Sequence, residues 1–232
     1  MPRYTGAYSS LVNRLDEIKL LENKARGLER KDPVGNRSEI NALCRAALVL
    51  MSSHVEGYVK DLGEIAVDAL VTKQVDRSKI EDAFFFHLSQ NTFKSIKDSD
   101  DHGKLAKAIF SFLHVDATHW SKVGPFSEPL PADNFNKGFS NPLPDKIKAY
   151  FGRFGYSVYM HDLARRMQSN YQPTLNAIEH MVDIRNKIAH GDVVAVKTPQ
   201  EVGDLRRHVQ RFCVETDMAF ATWFKKKYCS IR

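Results

Sequence analysis

Apolar residues along this chain recur at three- and four-residue intervals, and no stretch holds the two-residue alternation of a half-buried strand. That pattern predicts an all-α helical bundle. A first helix is expected from about Tyr8 to Arg30, with Leu11, Leu15, Ile18, Leu21, Ala25 and Leu28 as its buried stripe before the turn Lys31-Asp32-Pro33-Val34-Gly35. Ser38 is the expected cap of a long second helix that reaches about Thr72. Its Ile40, Leu43, Ala47, Met51, Val55, Leu62, Ile65 and Ala69 fall on one arc at about 100° per residue, which makes it the central helix of the bundle.

Residues 79–114 predict two shorter helices whose Phe84, Phe85, Phe93, Ile96, Leu105, Ile109, Phe112 and Leu113 close one end of the core. The stretch 120–143 holds Gly124, Pro125, Pro129, Pro131, Gly138 and Pro142, too many breakers for a helix, and is expected to be an inserted Pro/Gly-rich loop. Helices follow from Pro144 to about Phe154, from Ser157 to Tyr171, from Pro173 to His190 and from Pro199 to about Lys226. Without an internal repeat, residues 1–232 are expected to form a single domain.

Composition adds a partner class. The 232 residues carry a formal charge of +6, and the pI is near 9.1, which draws the protein toward polyanions such as nucleic acid. Part of the excess sits in the runs Arg165-Arg166, Arg206-Arg207 and Lys225-Lys226-Lys227, which describe solvated helix faces equally well. The three cysteines, Cys44, Cys213 and Cys229, lie at wide, unpatterned spacing with no signal-peptide pattern ahead of them, the usage of a reducing cytoplasm. The longest uninterrupted apolar run, Ala46 to Met51, is far short of the ~18 residues that span a bilayer, so a cytoplasmic location without a membrane partner is expected.

Candidate chemistry concentrates in Asp183-Ile184-Arg185-Asn186-Lys187-Ile188-Ala189-His190-Gly191. An Arg and a His at this spacing arise by chance about twice in a chain of this composition, so spacing alone decides nothing. Placement says more. Projected from Leu175, the apolar Ile178, Met181, Val182, Ile188 and Ala189 span an arc of about 220° to 340°, and Arg185 lies at about 280°, inside the buried stripe. An arginine there is either pinned by a carboxylate from the second helix or faces a polar site, because an unpaired buried cation costs several kcal/mol. His190 stands at the helix end, just ahead of the expected stop at Gly191. A histidine is favoured there by the helix dipole alone, and the same place suits a group that exchanges protons near neutral pH.

Arg185 and His190 diverge by about 140° on one helix, so a shared site calls for a two-fold dimer that packs this helix end against its copy. On the second helix Arg45, Ser52 and Glu56 lie within about 40° of each other. That leaves Glu56 either to pair with Arg185 or orient the histidine, or to stand as a solvated acid. His114 and His119 match no established metal spacing, and no metal or other cofactor is expected.

The run Arg185-Asn-Lys-Ile-Ala-His-Gly191 resembles the signature of the HEPN superfamily, in which an Arg and a polar residue are followed four to six residues later by His. Residues 45–58 resemble the long helix of its prokaryotic branches. Residues 138–147 are similar to a loop-to-helix element of the RiboL-PSP group and its relatives, while 76–130 match no named subfamily. The resemblance implies a dimerising helical bundle and a metal-independent endoribonuclease with its motif at the dimer cleft. On this sequence Arg185, His190, Asn186 and Glu56 match the catalytic positions, with Lys187 and Arg45 expected to bind substrate. It implies RNA as substrate, a homodimer, and a toxin or phage-defence setting with a possible antitoxin or defence-system partner. The alternative is a non-catalytic HEPN module that binds nucleotide, RNA or a partner protein.

Overall fold

A computed structural model of the chain describes residues 4–192, 195 and 197–232. Among them there is no strand, and the fold is all-α. Helix α1 (Gly6–Lys31) starts earlier than its apolar stripe suggests because Thr5 caps it, accepting from the Tyr8 amide at 3.3 Å. The Thr5 hydroxyl also donates to the carboxylate of Asp217, which is wholly buried in α10 (Pro199–Lys227). That bond ties the first turn of the bundle to its last helix. Leu11, Leu15, Ile18 and Ala25 are buried as the periodicity predicts.

Helix α2 (Arg37–Thr72) is 36 residues long, about 54 Å at 1.5 Å per residue, and packs against α1, α10 and α9 (Tyr171–Ala189). It is the central helix. Ser38 is not its cap. The helix begins after Asn36, whose side chain donates to the Leu28 carbonyl at 3.2 Å, while the Asp32 carboxylate accepts from Val34 and Gly35 to hold the turn. Polar residues cluster around this turn, so which of them takes the capping role depends on where α1 ends.

About three quarters of the way along α2, Gly63 lets the buried Tyr150 of α7 (Pro144–Gly152) approach its backbone. A Cβ at position 63 would meet the tyrosine hydroxyl and lie 2.7 Å from Cζ. Tyr150 donates to the Asn136 side chain, which donates in turn to Glu64 at 2.7 Å. This network docks α6 (Ala132–Asn136) onto the central helix. The stretch 120–143 is therefore anchored: Phe126, Leu130, Phe135 and Phe139 are buried, and Arg153 donates to the carbonyls of Phe135 and Lys137. Its prolines and glycines do break helices, but its phenylalanines drive it into the core.

Helices α3 (Asp82–Lys97) and α4 (His102–Ser111) occupy the expected places, with a π-turn at Phe112–Asp116 and the single turn α5 (Ala117–His119) after them. Phe84, Phe85 and Leu88 are buried, but α4 contributes no buried residue. Ile109 and Leu113 are 40% and 58% exposed, so these two do not close the core as expected. Helix α8 (Tyr159–Met167) ends before the expected Tyr171, because Gln168 takes a left-handed conformation at φ 50° and α9 then starts anew. Among the described residues no helix is long and apolar enough to cross a membrane.

Candidate functional site at the end of α9

Helix α9 buries Leu175, Ile178, Met181 and Val182 along the stripe that contains Arg185. Toward its C-terminus the stripe runs out of the core: Arg185 and Ile188 are half-buried and Ala189 is exposed. The helix stops in a Schellman turn, in which the Gly191 amide donates to Ile188 and the Asp192 amide to Lys187, both at 3.0 Å. Gly191 supplies the required left-handed residue at φ 83°. His190 caps this turn, exposed, with its amide donating to the Asn186 carbonyl at 3.0 Å.

Arg185 has no ion-pair partner among the described residues. Its Nη1 donates to Oδ1 of Asn186 at 3.1 Å, so Asn186 holds the guanidinium through its side chain and the His190 amide through its backbone. Among the described residues nothing else takes the guanidinium donors, whose fork suits a planar anion. Lys187 is exposed and spans one turn to Asp183 at 2.8 Å, a hydrogen bond that raises the pKa of its ammonium group.

Glu56 stands elsewhere. Its carboxylate takes Lys60 at 2.7 Å and the Asn141 amide at 3.2 Å, not Arg185. Asn141 lies just ahead of α7, whose Asp145 adjoins Tyr171 at the start of α9 and raises that phenol, second to burial. Glu56 is thus bound within α2 and to the stretch ahead of α7, and among the described residues no hydrogen bond joins it to α9. Helical phase on α2 put Glu56 on a suitable side but carried no information on which residues it meets. Arg45, half-buried on α2, is about 16 Å from Glu56 along the helix axis. The structure does, however, bring together two of the sequence blocks that prompted the HEPN resemblance, since Glu56 belongs to one and Asn141 to the other.

Sequence reasoning missed a feature along the first half of α9. A cleft of about 480 Å³ between α9 and α10 is lined by His180, His208, Lys197 and Glu201. His180 has its pKa lowered by burial and then by Lys197, and His208 shares a 3.2 Å hydrogen bond with Thr174. No spacing pattern joins these two histidines; only the pairing of the helices does. Lys197 and Glu201 also line a second cleft of about 380 Å³, with Arg37 from the start of α2. Among the described residues no three His, Cys, Asp or Glu side chains are grouped to share a metal ion.

The chain as a whole has a counterpart among known families. The model of the RiboL-PSP-HEPN family matches residues 9–221. The chain belongs to the RiboL-PSP-HEPN family. HEPN domains are helical, often bind RNA and dimerise, and are often endoribonucleases. The match takes in the whole of α2 through α9 and most of α10, including the stretch 76–130 that resembled no named subfamily. No curated protein and no solved structure matches the chain.

Proposed function

We propose that this HEPN protein is a metal-independent endoribonuclease, acting as a toxin or in phage defence, whose site forms where two copies pack the ends of α9 together. The observation that carries this reading is Arg185: a cation in the stripe of a bundle helix, bound to Asn186 and to no carboxylate among the described residues. A protein that keeps such a charge without neutralising it internally keeps it for an external anion. The way the apolar stripe leaves the core at Ile188 and Ala189 supports a second copy as its cover.

In the reaction, one His190 takes the proton from a ribose 2′-hydroxyl as that oxygen forms a bond to the adjacent phosphorus. The bond from phosphorus to the 5′-oxygen breaks, and the His190 of the second copy returns a proton to the leaving oxygen. The products are a 2′,3′-cyclic phosphate and a 5′-hydroxyl. Arg185 neutralises the charge that grows on the non-bridging oxygens, a task for a fixed, always-ionised fork. Asn186 orients that fork, Lys187 and Arg45 contact flanking phosphates, and Glu56 acts at a distance by holding the loop ahead of α7. Residues 1–232 work as one unit, which is supported by the single core cluster that joins all the long helices.

A second reading has its own support. Within one chain Arg185 and His190 point about 140° apart, so a monomer has no complete catalytic pair and would serve as a binding module for nucleotide, RNA or a partner protein. Scattering mass and RNA cleavage measured over one dilution series separate the two: cleavage that falls with the dimer fraction supports the composite site, and an undiminished active monomer removes it.

A further inference from the structure

Two basic runs far apart in the sequence meet in the fold. Arg165 and Arg166, at the end of α8, and Lys226 and Lys227, at the end of α10, line one groove of about 590 Å³ whose only acidic lining residue, among the described residues, is Asp162. The third run has another fate: Arg206 is bound to the buried Glu22 at 3.0 Å, and Arg207 to Asp204. Convergence, not composition, sets the first two apart.

The groove cations are only partly spent. Arg165 gives one bond to Asp162 and Arg166 one to Glu215, both at 2.9 Å, and each guanidinium has five N–H donors. Lys227 reaches Glu81 at 2.8 Å, and Lys226 has no ion pair among the described residues. One lining residue, Trp223, is aromatic. Tyr156 stacks on Trp223 at 4.4 Å with the rings 11° apart, and Tyr228 meets it edge-on at 5.8 Å, so the indole is held still while it lines the groove.

We infer that this groove is a second contact for single-stranded RNA, remote from the cut. Cations that track a backbone beside a fixed aromatic surface suit single strands, whose bases are free to stack. A duplex turns its bases inward and leaves the indole without a partner, and an acidic peptide has no need of it. Trp223 lies about 36 Å along α10 from Pro199, and α9, paired with α10, ends at Ala189, ten positions before that proline, so the groove and the Arg185 motif sit toward opposite ends of the bundle. The inference rests on the reading of the chain as an RNA-cleaving protein, and it makes substrate length matter.

The test uses full-length protein carrying His190→Ala, to prevent turnover, and anisotropy of a labelled single-stranded RNA of about 20 nucleotides at several salt concentrations. Arg165→Glu with Lys226→Glu is compared with Lys104→Glu and Lys107→Glu, exposed lysines of α4 that give the same change in charge. The groove pair should weaken binding about tenfold and reduce the slope of log affinity against log salt by about 1.4, for two lost phosphate contacts at ~0.7 each. The control pair should do neither. Equal losses in the two pairs, or an equal loss for duplex RNA of the same length, overturns the inference. Failure of the wild type to cleave RNA while the groove effect persists removes the catalytic reading alone; cleavage without a groove effect removes the groove alone.

Discussion

Replacing Arg185 by methionine separates a functional arginine from a structural one. Were the guanidinium half of an internal ion pair, removing it would strand a buried carboxylate and cost about 3–5 kcal/mol. In this structure its described partner is Asn186, at 3.1 Å. Losing that hydrogen bond costs about 0.5–1.5 kcal/mol. The methionine gains roughly half of the 1.5–3 kcal/mol of full burial, since the position is half-buried within an apolar stripe, so the two changes nearly cancel. The expected net change lies within about 1 kcal/mol of zero, or about 2–4 °C in Tm for a chain of this size. Calorimetry and urea unfolding read the stability, and an RNA cleavage assay on the same samples should find the activity lost. A loss of 3 kcal/mol or more would show that Arg185 holds the fold together and refute the reasoning.

Other substitutions test the supports of the site. Gly63→Ala would ordinarily stabilise a helix interior by about 1 kcal/mol, but here the methyl group collides with Tyr150. A net loss of roughly 1–4 kcal/mol in urea unfolding is expected, and a gain would contradict the docking of α7 on α2. Gly191→Ala meets open space but must hold φ near 83°, so a cost of about 1–2 kcal/mol, with a larger proportional loss of cleavage through His190, is expected from thermal unfolding and kinetics. Burial, reinforced by Arg153, lowers the pKa of His87 to about 4. Its neutral form is favoured in the folded state, so the stability it contributes is present above about 6.5 and lost as pH falls toward 4. A Tm-against-pH curve that is equally steep in this window for wild type and His87→Gln would show that this histidine has no part in it.

The long helices were legible because amphipathic stripes on α1, α2 and α10 repeat often enough to average over local exceptions. Gly191 was legible because the end of α9 needs a left-handed residue. What the periodicity does not encode is what a stripe faces. Ile109 and Leu113 of the α4 region carry the same pattern as Ile178 and Met181 of α9, yet the first two meet solvent and the last two the core. Local chemistry also hid contacts between elements. Helical phase does not reveal that Glu56 binds Lys60 and the Asn141 amide, and the breakers of 120–143 concealed the phenylalanines that bury it. At the candidate site, Arg185, Asn186 and His190 could be singled out from the sequence because all three sit within one turn and a half of a single helix. The cleft between α9 and α10 and the Trp223 groove are built by helix pairing, so no linear pattern announced them.

The most direct measurement is end-mapping of bulk cellular RNA incubated with the protein in the presence of a chelator. New 2′,3′-cyclic phosphate and 5′-hydroxyl ends are predicted with wild type and none with His190→Ala or Arg185→Met. The same ends at undiminished yield from His190→Ala would contradict the account.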